Sequence, residues 1–295
     1  MGLISMCKLD LSISIVTFNA KEYLDQFIAS IYENTKQVSF EILVVDNASS
    51  DGTERTIRNK YPDVDYIFNS KGRYYAGGTN QNLRRARGRY IVTFTPDTLV
   101  LPNTLDRMVS FMDEEKHVGA LTCRIIYPDG SLQYSIGPFI TRKYGLYAAL
   151  GLHALFPDNS VSKHQWECRY DSELYTTGEV LYGACIMVRQ ELVKEVGVFD
   201  EKLRIGWQEY DWCKRIAEKG WELGYLQTAS IVHYRGQSKM MDDAKKLAKI
   251  NREDTLWLFR KHFGFWTYAI MQIAYLLQME RFFSVLRKLL VQVKQ

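Results

Sequence analysis

Glu41-Ile-Leu-Val-Val-Asp-Asn-Ala-Ser-Ser-Asp-Gly-Thr53 decides the fold: an apolar run stops on a carboxylate and turns at once into a helix start. Asp46 stands where the strand run ends, and in open α/β sheets ligands gather outside the carboxyl ends of strands. Ser49, Ser50 or Asp51 is placed to cap the following helix, because a short side-chain oxygen satisfies an orphan N–H of its first turn. The unit is strand, polar turn, helix. Taken alone it serves equally as plain scaffold in many doubly wound domains.

The residues on either side extend the pattern. Leu11 to Phe18 is an apolar, β-branched run ending at Asn19, and Tyr23, Leu24, Phe27, Ile28 and Ile31 follow at helical spacing. Asp65 to Phe68 reads as a short third strand, leading into Lys71-Gly-Arg-Tyr-Tyr-Ala-Gly-Gly-Thr-Asn80. That stretch is expected to be a loop whose glycines let backbone approach a ligand, with Arg73 and Asn80 bringing charge and hydrogen-bonding capacity. Residues 89 to 94 form a fourth strand, and Thr95-Pro-Asp-Thr98 ends it on a second carboxylate, Asp97. Alternating strands and helices predict an α/β fold, with a mostly parallel Rossmann-like sheet flanked by helices and right-handed crossovers. Asp46 and Asp97 then share one edge.

Length and composition suit one large α/β unit with an appendage: 295 residues, 46% of them hydrophobic, are enough to bury a sizeable core. The five cysteines, at 7, 123, 168, 185 and 213, show neither C-x-x-C nor metal-knuckle spacing, which points to reduced thiols and a cytoplasmic chain. The first seven residues carry no signal-peptide core, and residue 6 is Met where a myristoylation motif needs Ser or Thr. Export is not expected.

Charge is informative once divided. Lys239 to Gln295 hold 11 Lys/Arg against 5 Asp/Glu, so the +4 net charge of the chain comes from this tail. Within it Phe263 to Met279 carries no formal charge, but Gln272 and Gln278 interrupt a run already shorter than the ~20 apolar residues of a membrane span. Trp257, Phe259, Phe265, Trp266 and Tyr268 beside Arg260, Lys261, Arg281, Arg287 and Lys288 suit a helix lying in the headgroups of anionic lipid. The other reading is an apolar helical hairpin packed on the catalytic domain or on a second subunit. No nucleic-acid-binding motif accompanies the basic residues, so no nucleic-acid partner is expected.

In the middle of the chain Tyr127-Pro-Asp-Gly-Ser131 signals a hairpin turn, and residues 136 to 177, rich in Gly and aromatics and poor in clear periodicity, read as a variable segment. Residues 182 to 188 return to a buried strand, and 189–196 to an amphipathic helix. Trp207-Gln-Glu-Tyr-Asp-Trp-Cys-Lys-Arg215 is the candidate catalytic element. Glu209 and Asp211, two apart, point roughly 200° apart on a helix, so one faces a cleft while the other caps or pairs. An acid at a helix N-terminus is also stabilised by the macrodipole without any function.

The order of Thr17-Phe-Asn19, VVDNASSDGT at 44–53, AGGTNQ at 76–81, TPDT at 95–98, YPDGS at 127–131, GACIMVRQELVKEVGVFDE at 183–201 and WQEYDWCKR at 207–215 resembles a family 2 glycosyltransferase of the GT-A fold. The nearest resemblance is to the bacterial rhamnosyltransferases of cell-surface polysaccharides, over residues 11 to about 237. It implies a catalytic domain over 1–238, with a donor half at about 11–100 and an acceptor half at about 101–238, followed by a basic, aromatic helical tail at 239–295. The implied reaction is inverting transfer from a nucleotide sugar, dTDP-rhamnose for one, to a saccharide or lipid-linked acceptor at the inner face of the cell membrane.

Roles follow from the same resemblance. Glu209 falls where the family's base aspartate lies, one methylene longer, with Asp211 in reserve and Gln208 replacing the preceding acid. Asp46 contacts the donor base or ribose, with Thr17, Asn19 and Asn47 on the same floor and Arg73 and Asn80 beside it. Gly183, Ala184 and Trp207 fall on the acceptor side. Asp97 and His233 hold a divalent cation, Mn²⁺ or Mg²⁺, although the familiar metal motif has two or three acids here and Thr95-Pro-Asp97 has one. Arg235 reads equally as a contact for diphosphate oxygens and as a solvated surface charge. Two other classes stay open: a catalytically decayed binding scaffold, favoured by the missing acids, and a nicotinamide-dependent oxidoreductase. Against the second, no G-x-G-x-x-G follows the first strand.

Overall fold

The computed structural model describes residues 9–152, 156, 175–178, 180–236, 244–277 and 285. Four apolar runs form β1 (Leu11–Thr17), β2 (Phe40–Asp46), β3 (Asp65–Phe68) and β4 (Tyr90–Phe94), parallel neighbours in the order β3-β2-β1-β4. Their crossovers are α1 (Lys21–Asn34), α2 (Thr53–Lys60) and α3 (Tyr74–Arg85). Helices on both faces bury β1 along its whole length, so the positions between Leu11, Ile13 and Ile15 carry the small hydroxyls of Ser12 and Ser14 rather than charged, solvent-facing residues.

The second half adds β5 (Thr98–Val100), α4 (Thr104–Glu114), β6 (Val118–Ile126), β7 (Ile136–Gly137), α5 (Arg142–Ala149), β8 (Tyr175–Gly178), β9 (Val180–Leu181), β10 (Cys185–Arg189), α6 (Gln190–Val196), α7 (Gln208–Glu218) and β11 (Glu222–His233). The sheet continues β4-β10-β6-β11-β5, with β8 also on β11, to nine strands. Here the pairing is mixed: β10 is antiparallel to β4 and β6, and β5 and β8 are antiparallel to β11. Two reversals restore the direction, so β11 ends on the same edge as β1, β2 and β4. Leu24, Phe27, Ile57 and Met108 of α1, α2 and α4 fill one face of the sheet, and Leu83, Leu192, Trp212 and Ile216 of α3, α6 and α7 fill the other. Cys123, Cys185 and Cys213 are buried free thiols.

The glycine-rich stretch corrects one expectation. It is a loop only as far as Arg73; from Tyr74 onward it is α3. A Cβ on Gly78 would lie 2.9 Å from Val16 Cγ1, so this glycine lets the helix pack closely on β1 rather than admitting a ligand.

The tail folds back. α8 (Ala244–Phe263) stops at Gly264, which takes φ +85°, and α9 (Phe265–Leu276) returns beside it. Leu256, Leu258, Phe259, Met271 and Ala274 pack with Ala149 of α5, Leu203 and Tyr210. Fully buried Asp254 accepts from Arg204 N (2.7 Å), Ile205 N (3.0 Å) and Arg204 Nε (3.0 Å), which supplies the ion pair with the extra hydrogen bonds that burial requires. Trp257 donates to Asp200, and Lys261 pairs with Asp200 and Asp211. Trp257, Phe259 and Lys261 therefore face the protein, against their expected place in a lipid-facing helix.

Among the described residues no helix is long and apolar enough to cross a membrane. Phe265, Trp266, Ile270, Ile273, Leu276 and Leu277 nevertheless form an exposed apolar face on α9 and its end. Met279, Arg281, Arg287 and Lys288 lie outside the described residues, as do 153–155 and 157–174 of the expected variable segment.

Candidate active site

Two cavities meet at the carboxyl edge of the sheet. The first, about 330 Å³, is lined by Thr17, Phe18, Asn47, Ala48, Tyr75, Thr95 and Asp97 among others, with His233 at its side and Lys246 of α8 at its mouth. The second, about 390 Å³, has walls of Tyr134, Tyr144, Tyr182 and Trp207, a floor of Gly183 and Ala184, and Arg235 at one side. His233 lines both. Among the described residues the buried hydroxyls of Thr17 and Thr95 have no hydrogen-bond partner. Buried polar groups are normally satisfied, so a polar ligand is the natural complement of the first cavity.

Register brings the two metal candidates together. His233 closes β11 opposite Thr98 of β5, which puts it beside Asp97, and Tyr234 N donates to Asp97 O at 2.9 Å. Asp97 is 2% exposed, and its Oδ1 lies 3.6 Å from His233 Nε2. Two donors sharing a cation at ~2.1 Å each, at ordinary coordination angles, sit roughly 3.0–3.6 Å apart. The pair fits such an ion, with a carboxylate oxygen and an imidazole nitrogen as ligands. Among the described residues no group of three or more His, Cys, Asp or Glu could hold a metal, so most of the coordination shell must come from elsewhere.

Glu209 sits in the first turn of α7, where Trp207 at φ +69° turns the chain into the helix. Its carboxylate packs on Gly183, where a Cβ would lie 2.1 Å from Glu209 Oε1. Gly183 is therefore glycine because the acid occupies the space of its side chain. Burial pushes the Glu209 carboxyl up to about 7, against the opposing pull of its own backbone N–H and of Gln208. Gln208 Nε2 donates to Glu209 Oε1 at 3.1 Å, so a neutral donor stands where a second acid would have repelled it. The Glu209 charge also helps raise the Tyr75 phenol after burial, which places the acid within electrostatic reach of the first cavity as well as beside the second. A carboxyl poised near neutrality between two cavities is suited to take a proton.

Other expected site residues turn away. Asp46 is fully buried; its Oδ1 accepts from Ser49 N (2.7 Å) and its Oδ2 from the Tyr66 hydroxyl, so it fastens the β2 turn instead of lining the cavity. Asn19, at φ +47°, accepts from Ser50 N at 2.8 Å and ties the β1 end to the same turn. Asp51 accepts from Thr53 N and Oγ1, serving the start of α2. Asn80 is buried against the segment after α6, donating to Phe199 O and Glu201 Oε1 and accepting from Phe199 N. Arg73 is exposed between the lining residues Gly72 and Tyr74. Asn47 does line the cavity, with its amide holding Tyr74 O and Arg73 N.

Asp211 is the clearest correction. Its carboxylate takes Arg215 Nε at 2.9 Å, His262 Nε2 at 2.8 Å and Lys261 Nζ at 2.7 Å. Burial alone would raise its pKa; the bonds from His262 and Lys261 and the Arg215 charge more than reverse that and hold it at about 2. It locks α8 under α7 and is no reserve base. Sequence reasoning passed over Gln133, Tyr144, Tyr182 and Lys246, which reach the cavities from distant elements and carry no local motif.

With this geometry in view, the family model for glycosyl transferase family 2 matches residues 12–197. The chain belongs to that family. N-acetylglucosaminyl-diphospho-decaprenol L-rhamnosyltransferase of Mycobacterium tuberculosis is 26% identical over 268 residues, 85% of this chain and 84% of the relative. The low-salt glycan biosynthesis hexosyltransferase Agl10 of Haloferax volcanii is 21% identical over 228 residues, 76% of this chain and 67% of the relative. Among solved structures, the mannosyltransferase PcManGT from Pyrobaculum calidifontis, in complex with GDP-Man and Mn²⁺, superposes with a TM-score of 0.54 at 16% identity, over 97% of this chain and 86% of its own. GalNAc-T7 with UDP, GalNAc and Mn²⁺ gives 0.58 at 15%, over 78% of this chain and 44% of its own. The fold is that of GT-A glycosyltransferases.

Proposed function

We propose that this family 2 glycosyltransferase moves a sugar, with inversion, from a nucleoside diphosphate donor in the first cavity to a hydroxyl of a saccharide or lipid-linked acceptor in the second, during assembly of a cell-surface polysaccharide. The observation that carries this is the junction itself: Asp97 and His233 stand where the cavities meet, and Glu209 lies just behind Gly183. Glu209 accepts the acceptor hydroxyl proton as the oxygen attacks, and a positioned base contributes about 10²–10⁴-fold. Direct displacement inverts the anomeric centre. Asp97 and His233 would hold a divalent cation, Mn²⁺ or Mg²⁺, whose charge would stabilise the negative charge that gathers on the leaving diphosphate. Thr17 and Thr95 hydroxyls and the Asn47 edge bind the nucleotide.

The aromatic walls of the second cavity suit the apolar face of a sugar ring, and Arg235 suits an acceptor phosphate. The similarity to a rhamnosyltransferase acting on a diphospho-decaprenol acceptor favours dTDP-rhamnose as donor and a lipid-linked acceptor. The α9 face agrees with this: Trp266, Ile270, Ile273 and Leu277 follow one helical stripe, seated on the inner surface of the membrane while α8 keeps the catalytic domain attached.

A thermal-shift panel of dTDP, UDP, GDP and NAD, each with and without Mn²⁺, tests the core of the proposal. A ligand at about 100 times its dissociation constant stabilises by ~2.7 kcal/mol. One diphosphate should give a Mn²⁺-dependent shift that Asp97→Ala abolishes. No shift with any diphosphate would favour a decayed scaffold, and a shift with NAD alone would overturn the reading.

A further inference from the structure

Gln133 has no part in the reaction described above, yet it is 6% exposed and touches one histidine twice. The Tyr127–Ser131 turn delivers it: Gly130 N bonds Tyr127 O at 2.9 Å, Tyr127 N bonds Ser131 O at 2.8 Å, and Gln133 N returns to Ile125 O at 2.8 Å. Its Nε2 donates to the backbone oxygen of His233, and its Oε1 lies 2.9 Å from His233 Nδ1.

These contacts leave no choice of orientation. A backbone carbonyl can only accept, so the amide NH₂ must face it and the amide oxygen must face the ring. An amide oxygen can only accept, so Nδ1 must carry the hydrogen. In a neutral imidazole the lone pair is then on Nε2. That is the atom 3.6 Å from Asp97 Oδ1, a separation too long for a hydrogen bond.

We infer that Gln133 is a positioning residue that locks His233 in its Nδ1–H tautomer, so that Nε2 offers a lone pair to a divalent cation instead of a hydrogen to Asp97. Without the lock, the Nε2–H form donates to the adjacent carboxylate, and the two ligands close on each other. Ligating histidines commonly give their second N–H to a carboxylate or carbonyl that fixes the ring. Here a side-chain amide from a hairpin a hundred residues earlier fills that place. The purpose of the lock rests on the proposed metal role; its geometry does not.

The test is a long-range ¹H–¹⁵N correlation spectrum of the metal-free, full-length protein labelled at its five histidines, with the His233 signals identified by their loss in His233→Gln. His233 should show a protonated Nδ1 and a bare Nε2. Gln133→Leu should move it toward the Nε2–H form. Calorimetric Mn²⁺ binding in the presence of dTDP should weaken roughly 10–100-fold in Gln133→Leu. An Nε2–H tautomer in the unaltered protein, or an unchanged tautomer in Gln133→Leu, overturns the inference. If the tautomers behave as expected but the unaltered protein binds no Mn²⁺, the lock stands and the metal reading fails. The spectrum of the unaltered protein needs no variant, so a misfolded Gln133→Leu cannot spoil the test.

Discussion

Glu209→Gln should make the protein more stable at alkaline pH while removing its activity. The Glu209 carboxyl is held at about 7 by burial, against 4.5 for the ordinary acid. Above pH 7 the folded chain therefore carries a charge in a poorly solvated place, while the unfolded chain carries the same charge in water. An acid raised on folding contributes its stability in full below the unfolded pKa and loses it as the pH climbs through the folded one. At 1.36 kcal/mol per pKa unit the loss approaches ~3 kcal/mol by pH 8.5, and the half-buried position of the residue brings this nearer ~2.

Glutamine carries no charge at any pH. The variant should thus match the unaltered protein near pH 5 and exceed it by about 2 kcal/mol at pH 8.5, or ~3 °C in melting temperature for a chain of this size. Urea denaturation at pH 5, 7 and 8.5 measures this directly. Turnover at the same pH values should fall by about 10²–10⁴-fold in the variant, and in the unaltered enzyme it should rise with pH through about 7. A variant no more stable at pH 8.5 than at pH 5, relative to its parent, would refute the claim that Glu209 is a desolvated acid.

Gly183→Ala, whose Cβ would meet Glu209 Oε1 at 2.1 Å, should cut turnover by about 100-fold while leaving the nucleotide-induced thermal shift unchanged; an unaltered kcat would remove Glu209 from contact with that turn. Asp211→Asn should destabilise the protein at pH 7 and flatten its acid unfolding, because a carboxyl held at about 2 contributes ~2 kcal/mol above pH 4 that is lost as the pH falls toward 2. The slope of stability against pH between 4 and 2 reports it, and an unchanged slope speaks against the α7–α8 lock. Trp266→Glu with Ile273→Glu should abolish sedimentation with anionic vesicles at low salt and spare turnover of a water-soluble acceptor; retained vesicle binding would place the membrane contact elsewhere.

The sequence pattern made the donor half legible because each of its strands is bounded by its own turn chemistry and β1, β2 and β4 are mostly buried. Asp97 and Glu209 could be singled out locally because a strand end and a helix start position them, whereas His233 entered only through the family resemblance. Orientation was the part that local pattern could not supply. Asp46, Asn80 and Asp211 are as polar as the residues that line the cavities, but their partners, Tyr66, Phe199 and His262, come from other elements. The glycines of α3 read as a loop because their reason is the closeness of Val16, which only packing reveals. The tail's aromatic residues looked alike in sequence, yet Trp257 is pinned to Asp200 while Trp266 stands in solvent.

The attachment of α8 beneath α7 also sets an order of events in the life of the chain. Domains form from the N-terminus as synthesis proceeds, and by residue 94 β3, β2, β1 and β4 have one another as partners, while the far edge of β4 waits for β10. The base-bearing helix waits longer. Until residues 254 to 262 have emerged, Arg204 lacks Asp254, Trp207 lacks Thr255, and Asp211 lacks two of its three partners. A nascent chain that has reached Gly236 holds most of the lining of the first cavity but cannot yet fix the helix that carries Glu209, so the nucleotide side of the site is assembled before its base during biogenesis.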